Sequence, residues 1–274
     1  MSHPWICQAH FRMTGKVPFF NTQHAHEDCF ELLWVHEGSG HYLAGDRLYQ
    51  IAPHTLYLTP AMILHYAKPD DPETYVRSTL LCRQTPVTEL LTACGANSAP
   101  KLLGEQLLAV KVEEPRQREA LDKLFYTARQ LGEFPSEAAA LQVAGRLLRL
   151  LGILLQPKAG VAVPVQKNKD SLSIALDYIS GHLCETVTLE QIAESCHLSK
   201  YHLCHRFRSE LGMTVMQYIF HQRHLRAKSA LLETRAPVSV IAMENGYSSA
   251  SHFSSLFRKT EGMTPSAFRA QNRK

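Results

Sequence analysis

The sequence predicts an α+β protein of two domains, an N-terminal β-barrel with a helical extension and an all-helical C-terminal domain. The first observation is a series of short β-rich runs between residues 10 and 82, separated by Gly, Pro and Asp. The second is a change to helical apolar spacing at 113–156, and the third is an internal repeat within the helical remainder. We therefore divide the chain into a barrel, a helical pair, a linker and a C-terminal domain, at 1–112, 113–156, 157–170 and 171–274.

Composition sets the broad class of the protein. The formal net charge of +4 does not by itself predict a nucleic-acid partner, so that prediction must rest on motifs. The seven cysteines show neither C-x-x-C nor zinc-finger spacing, which indicates free thiols in a reducing compartment. The first twenty residues lack the pattern of a signal peptide, and the apolar stretch 147–155 is too short to span a bilayer. We expect a cytoplasmic protein with no membrane partner.

The barrel prediction depends on short strands at regular spacing. Residues 44–47 (AGDR) predict a hairpin turn, because Gly and Asp tolerate positive φ. The predicted strands are 30–35, 41–43, 48–51 and 55–59.

Two helices are predicted in the middle of the chain, separated by Pro135 and begun by Ser136 as an N-cap. The second helix is apolar around much of its circumference, so it must pack on the barrel or on another subunit. We expect a homodimer through this helix. The apolar stripe of the first helix is Leu121, Leu124, Phe125 and Ala128, and that of the second is Leu141, Ala144, Leu148, Leu151 and Leu155.

The internal repeat predicts two helix-turn-helix units. The segment from Phe207 through Thr214 (FRSELGMT) recurs fifty positions later as FRKTEGMT. In the first copy, 188–191 (TLEQ) is a capping box, Ser199 caps the second helix and Gly212 suits its left-handed end. Each second helix then has one apolar face and one polar face, as a helix that reads the major groove of DNA needs.

The polar faces predict contact with double-stranded DNA. The face of the first copy is rich in ring and cationic donors, and that of the second is small and weakly polar. We expect the first helix to discriminate bases and the second to position the backbone. The faces comprise Tyr201, Cys204, His205 and Arg208, with Lys200 at the end of the helix, and Ser251, Ser254, Ser255 and Arg258.

A connecting helix is predicted from about Val215 to Glu233 and spans roughly 28 Å at 1.5 Å per residue. It could hold two reading helices near one turn of DNA apart, about 34 Å. Basic residues concentrate around it, and we expect Arg206, Arg223 and Arg226 to contact phosphates.

At these residues a family resemblance becomes specific. The region from about 171 to 269 resembles the DNA-binding domain of the AraC/XylS family of transcriptional regulators. The segments that carry it are LEQIAESCHLSKYHLCHRFRSELGMTVMQYI, RHLRAKSALL and VSVIAMENGYSSASHFSSLFRKTEGMTPSAFR. The resemblance implies a seven-helix domain that binds asymmetric DNA sites. It also implies a dimer with RNA polymerase as a partner, and it favours an activator while leaving a repressor open.

A second resemblance lies in the N-terminal region. The spacing His24-x-His26-x4-Glu31 resembles the first motif of cupin barrels, and Pro53-His54-x5-Pro60-x4-His65 resembles the second, with His54 where glycine is usual. In metal-binding cupins, residues matching His24, His26, Glu31 and His65 ligate one divalent metal. Related regulators use such residues in a ligand pocket or for folding.

Three uses of these four residues therefore stay open. The favoured one is a pocket for a small polar effector, with no cofactor and no enzymatic activity, and with Trp34, Tyr42, Tyr57 and Tyr66 available as aromatic walls. The segment 24–43 resembles sugar-sensing members, which favours a carbohydrate. The others are a divalent metal ligated by imidazole and carboxylate, and a structural role. The competing functions are a metal-dependent cupin enzyme joined to a DNA-binding module, and a regulator whose barrel only dimerises.

Overall fold

The computed structural model describes residues 5–15, 24–104, 107–155, 161–162 and 170–272. The chain separates into two compact units, an N-terminal one rich in strands and a helical one whose main described segment is 170–272. The fold class predicted from the sequence is confirmed. The predicted linker at 157–170 lies outside the described residues, apart from 161–162 and 170. Among the described residues, no helix combines the length and apolar character that crossing a membrane requires.

The described part of the N-terminal unit forms two antiparallel sheets. One has the strand order β1-β7-β2-β5-β8-β9, and the other has the order β4-β3-β6. All four predicted strands fall within β2 to β5, and the predicted hairpin turn joins β3 to β4. The strands are β1 Ile6–Met13, β2 Cys29–Glu37, β3 Gly40–Ala44, β4 Arg47–Ile51, β5 Thr55–Thr59, β6 His65–Pro69, β7 Val76–Arg83, β8 Leu108–Lys111 and β9 Val161–Ala162.

Strand β2 is buried on both faces and separates two cores. Leu33 and Val35 pack between the two sheets, together with tyrosines of β3, β4 and β5. Leu32 and Trp34 belong to the core on the opposite side, where the sheet meets helices. Because successive side chains of a strand point to opposite faces, Glu31 shares the face of Leu33 and lies between the sheets. The left-handed conformation of His54, with φ of 59°, agrees with its place where glycine is usual.

The described residues of the N-terminal unit also form four helices: α1 Gln84–Ala93, α2 Ala99–Gly104, α3 Pro115–Glu133 and α4 Glu137–Leu154. The predicted apolar stripe of α3 is buried, and Ser136 caps α4 by accepting a hydrogen bond from the backbone N–H of Ala139 at 3.2 Å. The predicted stripe of α4 is wrong at Leu141, which is 74% exposed. Val143 is buried in its stead, beside Leu147. Since α4 is apolar on several sides, its periodicity could not decide which side packs.

The C-terminal unit contains two helix-turn-helix units, α6–α7 and α9–α10, joined by α8. The capping box at Thr188 and Gln191, the Ser199 cap and the left-handed Gly212 with φ of 70° are all as predicted. Helix α8 has the predicted bounds and a capping box of its own at Thr214. The helices are α5 Ser171–Gly181, α6 Leu189–Ser195, α7 Lys200–Leu211, α8 Val215–Glu233, α9 Val238–Glu244, α10 Ala250–Glu261 and α11 Pro265–Asn272.

Candidate functional site

Backbone hydrogen bonds bring three histidines together at one end of the N-terminal unit. The N–H of His24 donates to the carbonyl of His65 at 3.1 Å, and the N–H of His65 donates to the carbonyl of His24 at 2.9 Å. The N–H of Met62 also donates to the carbonyl of His26 at 2.7 Å. The segment that carries His24 and His26 is therefore tied to the segment that leads into β6.

The three imidazoles surround the carboxylate of Glu31. Its Oε2 atom lies 3.3 Å from Nε2 of His26, 3.5 Å from Nε2 of His65 and 4.0 Å from Nε2 of His24. The side chains of Glu31 and His65 are buried, whereas those of His24 and His26 are 25% exposed. The structure thus assembles all four residues that the cupin-like spacing singled out. They form a polar cluster that can be reached from one side.

Electrostatics keep the Glu31 carboxylate ionised. Burial acts to raise the pKa of Glu31, but the surrounding imidazoles of His24, His26 and His65 outweigh it and hold the pKa well below its usual value. A hydrogen bond between Nδ1 of His65 and the carbonyl of Ile63, at 2.8 Å, must be donated by the ring.

Hydroxyl groups line the interior next to this cluster. The Tyr42 hydroxyl is 2.8 Å from the Thr59 hydroxyl, and its ring centroid lies 6.2 Å from that of His65. Burial, and secondarily the negative charge of Glu31, raises the pKa of Tyr42, so its hydroxyl remains neutral. The Tyr57 ring lies 4.9 Å from the Tyr42 ring. The predicted pocket residue Tyr42 is thus placed beside the cluster, and Tyr57 extends the aromatic wall.

Two interior residues were not anticipated from the sequence. Thr59 lies opposite Glu31 in the β2–β5 register. Arg77 lies opposite Val35 in the β2–β7 register, is buried, and packs over the Tyr75 ring at 4.9 Å. The signal that could have identified them is strand register, which one sequence does not reveal because it depends on pairing between distant segments.

Trp34 does not lie beside this cluster, which corrects the prediction that it lines the effector pocket. It stands three residues after Glu31 on β2 and therefore points to the opposite face of the sheet. Its Nε1 donates to Oδ1 of Asp122 in α3 at 2.9 Å. Trp34 anchors the helix pair to the sheet instead of lining the interior. Tyr66, the neighbour of His65 on β6, likewise points away from the cluster.

The polar face of α7 is presented largely as expected. Tyr201 is 74% exposed, His205 and Arg208 are exposed, and Cys204 is half-buried. Lys200 is exposed, and its Nζ lies 2.5 Å from Oε1 of Glu190 in α6. This face rests on the buried side chains of Leu203 and Phe207, so the helix is anchored on one side and open on the other.

Two arginines that were predicted to contact phosphates instead form hydrogen bonds within the C-terminal unit. Arg206 donates to Oδ2 of Asp170 at 2.9 Å and to Oε1 of Glu210 at 2.6 Å. Arg223 donates to the backbone carbonyls of Leu183 and Glu185 at 2.8 and 2.5 Å. These partners were invisible in the sequence because most lie more than thirty residues away. We therefore assign both arginines structural roles, whereas Arg226 is exposed on α8.

The second reading face, on α10, is also open. Ser251, Ser255 and Arg258 are exposed, and Ser254 is half-buried. The structure adds a repeated pair that the face analysis missed, His202 and His252, both exposed in the first turns of α7 and α10. The fifty-residue repeat could have identified them, because the two histidines occupy equivalent positions.

Comparison with known families agrees with this arrangement. Residues 15–151 match the AraC-like ligand binding domain, which is half of the chain, and residues 192–271 match a helix-turn-helix domain. The chain belongs to the AraC family of transcriptional regulators. In this AraC-family protein, the polar cluster lies within the first match and both reading helices lie within the second.

Individual relatives cover different shares of the chain. The HTH-type transcriptional activator RhaR of Escherichia coli is 26% identical over 91% of this chain and 87% of its own length. The arabinose operon regulatory protein of Salmonella typhimurium is 34% identical over 47% of this chain and 49% of its own length. The chain spans about half the length of several curated relatives that it matches. The crystal structure of the DNA-binding domain of AdpA with a target DNA is 29% identical, covers 38% of this chain and 93% of that chain, and has a TM-score of 0.36.

Proposed function

We propose that this protein is a sequence-specific, DNA-binding transcription regulator controlled by a small polar effector. The observation that carries the proposal is that α7 and α10 each expose a polar face to solvent. The other unit of the same chain has polar side chains in its interior. The proposed regulator acts as an activator with RNA polymerase as a partner, which the description of RhaR as an activator supports. The effector must have different affinities for a DNA-binding and a DNA-silent state.

The effector proposed for the interior is a sugar. Hydroxyl groups of Tyr42 and Thr59 and the carboxylate of Glu31 are the hydrogen-bonding partners that sugar hydroxyls need, and aromatic rings supply apolar surface. Relatives described as arabinose and xylose operon regulatory proteins support this class of ligand. The proposal assigns no catalytic step to the chain.

Genome-wide mapping of binding in the native cell tests the regulator proposal. A few sharp sites beside genes of one pathway would support it. Fragments from those sites then serve in fluorescence-anisotropy titrations of the full chain, with and without sugars of that pathway. If no sharp site appears under any growth condition, or if no sugar changes the affinity for DNA, the corresponding half of the proposal is wrong.

Replacing Tyr201 or His205 with alanine is expected to relax base preference. Each lost base contact should reduce discrimination against single-base variants of the site by about 1–3 kcal/mol. R226A should instead weaken binding to all sequences alike and flatten its salt dependence, because it removes a phosphate contact. Anisotropy titrations at several salt concentrations measure both effects. A uniform loss for Y201A and H205A would place the base-reading face elsewhere.

We further propose that a second copy of the chain covers the outer side of α4. A groove of about 670 Å³ lies there, between α3, α4 and the strands β5 and β8. It is lined by apolar side chains, including Leu141 and Ile153, and by arginines such as Arg146 and Arg149. Leu141 is 74% exposed, and a leucine in a groove of this kind is typical of a subunit interface.

The variant L141D is expected to convert a dimer into a monomer of 30.9 kDa, because it places a charge in the apolar interface. Sedimentation velocity at micromolar concentration measures the change. V240D serves as a control, since Val240 is an exposed apolar residue of α9 in the other unit. A monomeric wild-type protein, or an L141D variant that remains dimeric, would contradict this assignment.

A further inference from the structure

We propose that the interior of the N-terminal unit binds one divalent transition-metal ion, held by His24, His26, Glu31 and His65. The inference rests on the proposed function in one respect: it takes this interior as the pocket that the effector enters. The metal ion would lie beside the sugar in that pocket.

The four donor atoms have the spacing of a metal site. They all lie within 4.8 Å of one another, and the three imidazole nitrogens lie 3.3 to 4.0 Å from the Glu31 oxygen. Metal–nitrogen and metal–oxygen bonds of about 2.0–2.2 Å in a tetrahedral site place neighbouring donors about 3.3 Å apart. The donors farthest apart, at up to 4.8 Å, would therefore approach one another by on the order of 1 Å for all four to reach one ion.

His65 is oriented as a metal ligand would be. Its Nδ1 donates to the carbonyl of Ile63 at 2.8 Å, the kind of second hydrogen bond that sets the tautomer of metal-binding histidines. Its Nε2 is buried, lies 3.5 Å from the Glu31 oxygen, and makes no hydrogen bond of good geometry with a described residue. A buried polar nitrogen without a donor is costly, so this atom indicates a group that is bound through it.

The surroundings hold the ligands in place before any ion binds. The paired backbone hydrogen bonds between His24 and His65, and the one from Met62 to His26, join the two segments that carry the imidazoles. Glu31 lies on β2, which pairs with a strand on each side and so holds its backbone in place. Little conformational freedom would be lost when an ion binds, which favours affinity.

The donor set selects the class of ion. Three imidazoles and one carboxylate suit iron, manganese, nickel or zinc, whereas calcium and magnesium prefer oxygen ligands throughout. Two of the histidines are 25% exposed, so the cluster is open to entry from one side. The ion would therefore lie where a polar effector can reach it.

Titration of the chelator-treated full chain with Zn²⁺ and Co²⁺ tests the proposal. Calorimetry should show one ion per chain, and Co²⁺ should produce visible absorption typical of nitrogen and oxygen ligands. E31Q and H65Q should each lower the affinity by more than about 10-fold, since even outer-shell changes at metal sites cost that much. H41Q is the matched control, because His41 on β3 alternates with Tyr42 and lies on the other face.

Melting curves guard against a variant that fails to fold. Zn²⁺ should raise the melting temperature of the wild type, and this rise should be lost in E31Q and in H24N, which changes a partly exposed ligand. A wild type that binds no stoichiometric ion, or an H65Q and H24N that bind as the wild type does, would overturn the proposal. The cluster would then be an internal ion pair. The affinity for DNA, with and without sugar, is measured separately by anisotropy. A failure to bind metal would therefore leave the regulator proposal intact.

Discussion

Replacing Lys228 with alanine is expected to lower the free energy of unfolding of the helical unit by about 3–5 kcal/mol, as is typical when one partner of a buried ion pair is removed. Lys228 is 4% exposed, and its Nζ donates to Oε2 of Glu261 at 2.8 Å. His224 contacts the other carboxylate oxygen at 2.6 Å. Although burial acts to raise it, the pKa of Glu261 is lowered by Lys228 and His224, so K228A leaves a charge without its main partner.

Urea unfolding followed by far-UV circular dichroism measures this loss. Tryptophan fluorescence is an internal reference, because the two tryptophans, Trp5 and Trp34, both belong to the N-terminal unit. The double variant K228M/E261Q is the control. It removes both charges while an amide oxygen can still accept from His224, so most of the stability should return. A loss below about 1 kcal/mol for K228A would mean that solvent screens the pair.

This ion pair also concerns function. Lys228 belongs to the connecting helix α8, and Glu261 is the last residue of the reading helix α10. The pair therefore fixes the second reading helix to the connector. We expect K228A to weaken DNA binding at temperatures where the protein is still folded, because the position of α10 becomes less well defined.

Replacing Gly246 with alanine should destabilise the helical unit by about 2–5 kcal/mol, the sum of left-handed strain and overpacking. Gly246 has φ of 74°, and an added Cβ would lie 2.4 Å from the carbonyl oxygen of Leu183 and 2.8 Å from the guanidinium of Arg223. The same carbonyl accepts the Arg223 hydrogen bond at 2.8 Å. The methyl group would thus disturb the contact between the turn of the second helix-turn-helix unit and the end of α5.

G212A provides a matched control for G246A. Gly212 has φ of 70°, but its added Cβ would meet nothing within 4 Å. It should cost only the left-handed strain, about 1–2 kcal/mol. The difference between the two variants in urea unfolding then measures the steric contribution at Gly246. Equal losses would show that the Leu183 loop can move aside.

Much of the helical unit could be predicted because its signals are local. A capping box such as Thr188 with Gln191, or a helix end such as Gly212, involves residues within a few positions of each other. The fifty-residue repeat then carried the Ser199 cap and the left-handed Gly212 over to Ser249 and Gly262 in the second unit. The same local character explains why the predicted apolar stripe of α4 was wrong at Leu141. The sequence shows that a residue is apolar, but it does not show which surface that residue contacts.

By itself, the sequence determined the strands β2 to β5, the helix pair, the helices that carry the two polar faces and the four residues of the polar cluster, because periodicity, capping and motif spacing are properties of neighbouring residues. The tertiary structure decided which side chains share a space. In the folded domain, Trp34 faces α3, and Arg206 and Arg223 form hydrogen bonds within the C-terminal unit. Thr59 and Arg77 lie in the interior of the N-terminal unit. Each of these outcomes depends on strand register or on a partner distant in the chain, and such pairings arise only when the whole domain packs.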